Sequence, residues 1–288
     1  MLYNDAIKIL NRHIFEGEKR NLIKKLASNP ERYIGIFRPT KPRGKLVQNL
    51  FQSHEIRFGV ALEYLLRELI AEIGFSNLDR NLTIDDRNTL SIDQYFTEGK
   101  QYYFVEQKIR DDHDSTKKHG QIKNFEAKLD LLYKKHQNKL IGIMYFIDPT
   151  LSKNKKFYLE ELNKLKEIYH NELFLIYGQD FFEFINHPKL WTELIEWIKQ
   201  WKTSLPDFPD IDFDLSPSES FEEIKTLRPL YWRKMIANES IWKDGIIRVI
   251  FSKGTTLELL FGYFSQQKTS EFQDLAKSLL ERINTYYY

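Results

Sequence analysis

Three charged residues stand where the sequence predicts a pair of β-strands. Asp93 lies in the apolar run LSIDQYF, and Glu106 and Lys108 lie two residues apart in the run QYYFVEQKI. Residues 90–96 and 101–109 are rich in residues that favour strands, and the short segment between them contains a glycine, so the pattern predicts a β-hairpin. Whether these groups can act together depends on whether they share one face of that hairpin.

The predicted hairpin brings the three charged groups to one face. If residues 97–100 form the turn, Asp93 lies opposite Phe104. Because side chains alternate between the two faces of a strand, Phe104, Glu106 and Lys108 share a face, and Asp93 joins them. Two carboxylates and one ammonium group then converge on one side of a sheet.

This combination of groups suits a metal site for phosphate chemistry. Mg²⁺ prefers oxygen ligands and binds through one or two carboxylates together with substrate phosphate. A neighbouring lysine can hold a phosphate and help to deprotonate an attacking water molecule. The same spacing is also compatible with a solvated strand face on which Glu106 and Lys108 take part in a cross-strand ion pair. The residue spacing alone leaves both interpretations open.

The context of the motif resembles the PD-(D/E)XK nuclease core. Asp93, Glu106 and Lys108 form an Asp-x12-Glu-x-Lys pattern on a hairpin that follows a long helix and precedes an α/β crossover. The resemblance implies that Glu63, on the long helix, supplies another carboxylate at the metal site. Gln121, at the start of the next helix, is similar to a Gln-x3-Tyr element of some branches, which implies a supporting role. Over residues 38–180 the arrangement looks like a type II restriction endonuclease.

The identity of the first carboxylate has an alternative. No proline precedes Asp93, because Ile92 occupies that position. Asp85 and Asp86 lie a few residues upstream and could also serve as the first metal ligand. We prefer Asp93, since it lies in an apolar run, whereas the upstream pair belongs to a polar stretch.

The resemblance implies a Mg²⁺-dependent endonuclease, with Mn²⁺ as a substitute, that hydrolyses phosphodiester bonds at specific sequences in double-stranded DNA. Asp93 and Glu106 would ligate the metal, Lys108 would position or activate the water, and Glu63 would orient water or a second ion. A homodimer is expected, matching twofold-symmetric DNA sites. The alternatives are a PD-(D/E)XK nuclease of repair or recombination and a catalytically silent nucleic-acid-binding module on the same fold.

The elements around the motif predict an α/β fold. Strands alternate with helices beyond residue 90, which favours a mixed central sheet flanked by helices. Helices are predicted at residues 4–28, 46–73, 121–136, 154–169 and 188–202, and further strands at residues 140–147 and 173–177.

The sequence divides into three regions. Residues 1–204 are predicted to form the nuclease core with its N-terminal helices. Residues 205–220 contain three prolines and several aspartates and are predicted to be a linker. Residues 221–288 are predicted to form an α+β region, with a strand at 246–251, that recognises DNA or mediates dimerisation.

Basic residues near the motif and in the C-terminal region are candidates for DNA contacts. Phosphate contacts supply much of the affinity for DNA, and arginine is well suited to bidentate contacts with guanine. The C-terminal arginines are candidate base readers, although a role of that region in packing and dimerisation alone is also open. The candidates are Arg38, Lys41, Arg43 and Lys45 in a loop, Lys117, Lys118 and His119 in a polar loop at 110–120, and Arg228, Arg233 and Arg248 in the C-terminal region.

Composition excludes several other classes of protein. The 288 residues include no cysteine, which excludes a disulfide scaffold and a thiol nucleophile, and 42% are hydrophobic, which is enough for a buried core. There is no P-loop, nucleophile elbow or dinucleotide fingerprint. No apolar run of membrane-spanning length occurs, and the charged N-terminal segment does not read as a secretory signal. We therefore expect a cytoplasmic protein without a membrane span.

Overall fold

The structure, a computed structural model, describes residues 1–35, 37–85 and 88–288, apart from the side chains of residues 84, 85 and 88. These residues cluster into two units. The first comprises residues 1–13 and 58–205, and the second comprises residues 14–57 and 206–288. Residues 14–57, which the sequence analysis grouped with the nuclease core, therefore cluster with the C-terminal part of the chain.

Thirteen α-helices and seven strands are described along the chain. The helices are α1 (Tyr3–Phe15), α2 (Glu18–Ser28), α3 (Pro42–Glu72), α4 (Ser115–His136), α5 (Lys155–Tyr169), α6 (Asp180–Phe184), α7 (Lys189–Thr203), α8 (Pro217–Ile224), α9 (Pro229–Ala237), α10 (Glu239–Lys243), α11 (Ile246–Ile250), α12 (Thr255–Gln266) and α13 (Ser270–Tyr287). The strands are β1 (Ser76–Asn77), β2 (Asn81–Asp85), β3 (Asn88–Ser91), β4 (Gln94–Glu98), β5 (Gln101–Lys108), β6 (Leu140–Phe146) and β7 (Glu172–Tyr177).

The first unit is built on a five-stranded mixed sheet in the order β1-β4-β5-β6-β7. The β1–β4–β5 pairs are antiparallel and the β5–β6–β7 pairs are parallel. Parallel neighbours need crossover connections, which α4 and α5 provide. The prediction of a mixed sheet flanked by helices is confirmed.

The core of this unit explains why β6 has an almost continuously apolar sequence. The strand lies between two parallel neighbours, and its side chains pack beneath α4 and α5, with Met144 and Phe146 contacting the same cluster as Phe125 and Leu162. A central strand of a parallel region is buried on both faces, so the sequence LIGIMYF shows no polar alternation.

The hairpin of β4 and β5 has a shorter turn than the sequence predicted. Glu98 pairs with Gln101, so the turn consists of two residues and begins with Gly99 at φ 60°. Phe104 therefore lies opposite Tyr95 rather than opposite Asp93. The predicted register was wrong by two residues, but an even shift leaves every side chain on its predicted face.

The strand predicted at residues 90–96 is also divided. Its first part belongs to β3, which pairs with β2 in a separate two-stranded sheet, and its second part is β4. Asp93 lies between them, directly before β4. The carboxylate of Asp93 thus lies at the point where the chain passes from one sheet to the other.

The second unit contains helices and no strand among its described residues, so the predicted strand at 246–251 was wrong. This segment is the short helix α11, in which Ile246, Ile247 and Ile250 are fully buried. The β-branched run favours a strand, but no described strand of residues 206–288 could pair with it. As a helix, the segment satisfies its own backbone hydrogen bonds while its isoleucines enter the core. The expectation of an α+β C-terminal region is corrected to an all-helical one.

The predicted helix at residues 4–28 is broken into α1 and α2. Gly17 lies between them with φ 72°, a left-handed conformation that is strained for residues other than glycine. None of the helices described in the structure is long and apolar enough to cross a membrane.

Candidate active site

The structure brings Asp93, Glu106 and Lys108 together on one face of the sheet. The Nζ atom of Lys108 lies 3.0 Å from Oδ2 of Asp93 and 3.1 Å from Oε1 of Glu106. The same ammonium group donates to the backbone carbonyl of Gln107 at 2.8 Å. Three oxygen atoms from two adjacent segments therefore surround one cationic group.

Two hydrogen bonds hold Asp93 in place, one at its carboxylate and one at its backbone carbonyl. Its Oδ2 atom accepts a hydrogen bond of 2.7 Å from the backbone N–H of Gln107. Its own carbonyl oxygen accepts one of 3.0 Å from Arg80. The carboxylate is thus held against β5 although Asp93 itself lies outside the strand ladder.

Glu106 is buried and receives donors at both carboxylate oxygens. Its side chain is 2% exposed, which is tolerable for a charged group only when it is paired. Oε1 accepts from Lys108 and, at 3.2 Å, from Asn124. Oε2 accepts from Lys128 at 2.5 Å. Asn124 and Lys128 are residues of the site that the sequence analysis did not identify.

These two residues lie on one face of α4 together with Gln121. The three positions are separated by three and four residues, the spacing of neighbours on a helix surface. Gln121 accepts a hydrogen bond of 2.6 Å from the hydroxyl of Tyr158, rather than contacting Glu106. The spacing from Gln121 was the available signal for Asn124 and Lys128, but lysines on helices are usually solvated.

Glu63 faces the same cluster from α3. Its carboxylate lies 3.5 Å from Arg80, and its side chain is 23% exposed. Burial and the charge of Asp93 raise the pKa of Glu63 from 4.5 to about 7, with a further contribution from Glu106, although Lys108 and Arg80 oppose the shift. The site therefore has a carboxyl group that titrates near neutral pH, as a general base requires.

The surroundings favour the charged form of Lys108, whereas they favour the neutral form of Glu63. Burial disfavours its charged form, but Glu106 and Asp93 outweigh that penalty and raise the pKa of Lys108 above the usual value for lysine. With both carboxylates as partners, the group is a permanent cation at neutral pH. It can donate hydrogen bonds to an anionic phosphate but cannot accept a proton in this state.

The donor set fits a hard divalent cation. Asp93, Glu106 and the carbonyl of Gln107 offer only oxygen atoms, which favours Mg²⁺ or Mn²⁺ over metals that prefer nitrogen or sulfur. No group of three His, Cys, Asp or Glu side chains within the described residues is arranged to hold a metal ion. Mg²⁺ does not require one, because water and substrate phosphate complete its coordination.

The raised pKa of Glu63 predicts how the stability of the metal-free protein depends on pH. Between the usual value of 4.5 and the folded value of about 7, the folded protein keeps a proton that the unfolded chain releases. The unfolded state then binds fewer protons, so the free energy of unfolding falls as the pH rises through this range. The stability linked to this proton is present below the unfolded pKa and is lost above the folded one.

Replacing Glu63 by glutamine is expected to remove this loss. In chelator, the variant should have the same Tm as the wild type near pH 5, where Glu63 is protonated, and a higher Tm near pH 8. Glu68→Gln, which changes an exposed residue of the same helix, is the matched control and should leave the Tm unchanged at both values. If the difference in Tm between Glu63→Gln and the wild type is the same at both pH values, the raised pKa of Glu63 is contradicted.

The alternative first carboxylate cannot be compared in the same way. Asp86 lies outside the described residues, and the side chain of Asp85 does as well.

Three of the predicted DNA-binding residues lie at the start of α4, in the first unit. Lys117, Lys118 and His119 were predicted in a loop, but Asp114 caps the helix there by accepting a hydrogen bond of 2.9 Å from the backbone N–H of Lys117. Lys118 lies over the ring of Phe157, with Nζ 4.5 Å from its centroid. Lys117 and His119 are exposed.

The C-terminal candidates lie in the second unit and differ in their contacts. Arg233 forms an ion pair with Glu271, and Arg248 donates to the carbonyl of Tyr286. Arg228 precedes α9 and is exposed, and its guanidinium has no partner within the part of the chain that the structure describes.

The N-terminal candidates lie in the second unit as well, around the start of α3. Arg38 donates to the carbonyl of Glu31 at 3.2 Å, and Lys45 donates to Gln48 at 2.8 Å. Lys41 and Arg43, at the first turn of the helix, are exposed.

A family model of known proteins matches most of the chain. The family model described as "Type II restriction endonuclease, HinfI" matches residues 2–87 and 76–202. The matched ranges contain every residue of the cluster around Glu106 and end before the C-terminal helices. No curated protein and no solved structure matches the chain.

Proposed function

The chain belongs to the HinfI family of type II restriction endonucleases, and we propose that it is a Mg²⁺-dependent enzyme that cuts double-stranded DNA at a specific sequence. The observation that carries this proposal is the convergence of Asp93 and Glu106 on the ammonium group of Lys108. Activity as a homodimer on twofold-symmetric sites, in the cytoplasm, completes the proposal.

Asp93 and Glu106 would hold the divalent cation. Their oxygen atoms already contact one cation, Lys108, and Glu106 is oriented by donors from α4. When bound, a divalent cation supplies Lewis-acid stabilisation of the charge that develops on the phosphate. Mn²⁺ offers similar chemistry with the same ligands and would act as a substitute.

Lys108, Glu63 and Gln121 would have separate roles beside the metal ligands. The side chain of Lys108 is 30% exposed, so it can reach a phosphate oxygen of bound DNA and stabilise its negative charge. Glu63, a carboxylate that faces the same cluster from α3, would orient the attacking water and accept its proton. Gln121 would support α4 through its hydrogen bond with Tyr158.

Metal removal provides the direct test. Purified protein is expected to convert a plasmid into discrete fragments in Mg²⁺ or Mn²⁺, to lose this activity in excess chelator, and to bind DNA without cutting it in Ca²⁺. Discrete fragments distinguish a restriction enzyme from a repair or recombination nuclease, and binding without cleavage in every metal would indicate a silent module. Cleavage that continues undiminished in chelator would contradict the proposed metal dependence.

Base recognition is proposed to involve Arg228 more than the other C-terminal arginines. Its guanidinium is free of described partners, whereas Arg233 is engaged by Glu271. We expect Arg228→Ala to relax the preference at one base position, because a lost bidentate contact costs roughly 1–3 kcal/mol of discrimination. Arg233→Ala is the matched control, with a smaller effect on cleavage of single-base variants of the site. If Arg228→Ala weakens cleavage of all sequences alike, the residue contacts phosphate instead.

A further inference from the structure

Glu106 is contacted by two lysines that differ in what else they can reach. The side chain of Lys108 is 30% exposed, whereas that of Lys128 is 3% exposed. A substrate phosphate can therefore approach Lys108 but not Lys128. Any influence of Lys128 on the reaction must pass through Glu106, its partner at 2.5 Å.

The burial of Lys128 is itself informative. Lysine is almost never fully buried unless it is paired, and an unpaired charge in this position would be strongly unfavourable. Lys128 lies on α4 between the core side chains of Phe125 and Leu132, where an apolar residue would pack without this cost. The contact with Glu106 is therefore the interaction that compensates for burying the charge of Lys128.

The two oxygens of Glu106 have distinct partners. Lys128 engages Oε2 from the helix side, and Oε1 is the atom that contacts Lys108 beside Asp93. Asn124 adds a second helix contact of 3.2 Å to Oε1. One oxygen is anchored and the other is directed at the point where the three oxygen atoms converge.

We propose that Lys128 is a positioning residue for the metal site: by holding Oε2 of Glu106, it directs Oε1 toward Asp93 and so sets the affinity for the divalent cation. This inference rests on the proposed function of the same site. Groups that orient metal ligands typically change metal affinity or activity by roughly 10–100-fold when they are replaced. Lys128 therefore acts on the metal requirement rather than on contact with DNA.

The test compares Lys128→Met with Lys134→Met. Both lysines lie on α4, but Lys134 forms an exposed ion pair with Asp130 and is remote from Glu106 in its contacts. Binding of Mn²⁺ alone, without DNA, is measured from the electron paramagnetic resonance signal of the free ion. We expect Lys128→Met to weaken Mn²⁺ binding by roughly 10–100-fold and Lys134→Met to leave it within twofold. The Mg²⁺ concentration for half-maximal cleavage should rise in parallel.

A double-mutant cycle separates positioning from a general structural effect. If Lys128 acts only through Glu106, its replacement should change Mn²⁺ binding less than twofold in a Glu106→Gln background. The double variant carries no unpaired buried charge, so a folding defect of Lys128→Met that is restored by adding Glu106→Gln would also identify Glu106 as the partner of Lys128. An additive loss in the double variant, or wild-type Mn²⁺ binding by folded Lys128→Met, would overturn the inference.

These outcomes remain distinct from failure of the proposed function. A wild-type protein that neither binds Mn²⁺ nor cuts DNA would contradict the function itself. A wild-type protein that does both, with Lys128→Met indistinguishable from it, would contradict only the role of Lys128.

Discussion

Lys108→Met is expected to lower the rate of DNA cleavage by roughly 10²–10³-fold and to leave DNA affinity within a few-fold of the wild type. The substitution keeps the length of the side chain but removes the ammonium group that contacts both Asp93 and Glu106. One phosphate contact is a small share of a DNA interface, so binding should persist. Single-turnover cleavage in Mg²⁺ and fluorescence anisotropy of labelled DNA in Ca²⁺ measure the two quantities.

Lys100→Met is the matched control for this experiment. Lys100 lies in the exposed turn of the same hairpin. Its replacement is expected to change neither cleavage nor binding appreciably. The Lys108→Met preparation also shows whether a contaminating nuclease accounts for any cleavage. A rate within threefold of the wild type would exclude Lys108 from the reaction.

Asp93→Asn is expected to reduce cleavage by roughly 10³-fold or more, since a lost metal ligand forfeits several kcal/mol of charge stabilisation and each 1.36 kcal/mol is tenfold in rate. Asparagine preserves the volume and can still accept the hydrogen bond from the backbone N–H of Gln107. DNA binding in Ca²⁺-free buffer is expected to hold or tighten, because a negative charge facing the phosphate is removed. Glu106→Gln should lose cleavage in the same way.

Asp86→Asn provides the comparison that decides the first carboxylate. If Asp93 is the ligand, Asp86→Asn should cleave at close to the wild-type rate under single-turnover conditions. The reverse result, with Asp86→Asn inactive and Asp93→Asn fully active, would assign the role to Asp86 and would leave Asp93 as a structural partner of Lys108.

The hairpin shows how far the sequence predicts the site. The predicted turn was two residues too long, yet Asp93, Glu106 and Lys108 still converge. Alternation along a strand has a period of two, so any even error in register preserves the face. An error of one residue would have put Asp93 on the opposite face. The grouping of side chains was therefore more predictable than their pairing.

The partners of Glu106 on α4 could not be predicted in the same way. Lys128 is one of several lysines on that helix, and its burial results from how α4 packs on β6 and contacts Glu106 of β5. Helical periodicity places Lys128 on the face of Gln121 but does not specify what that face covers. Long-range packing decides whether a helix lysine is solvated or paired in a core.

The C-terminal region illustrates the limit of local propensity. The isoleucines of α11 favour extended structure by themselves. Their burial against Trp232 and Met235 in a helical core gives the segment a different conformation. A strand without a neighbour would leave its backbone groups unpaired, and only the surrounding fold determines whether a neighbour exists.

The division of the second unit into residues 14–57 and 206–288 affects how the chain can fold during synthesis. Its core joins Leu22 and Leu26 to Trp232 and Ile283, from opposite ends of the chain. A ribosome adds about 5–20 residues per second. The interval between the synthesis of the α2 leucines and that of Trp232 is therefore on the order of ten seconds or more. The cluster around Glu106 is encoded before residue 130 and can assemble first. A chain that ends at residue 204 keeps those leucines but lacks the residues that cover them, so it would report a folding defect rather than a loss of DNA recognition.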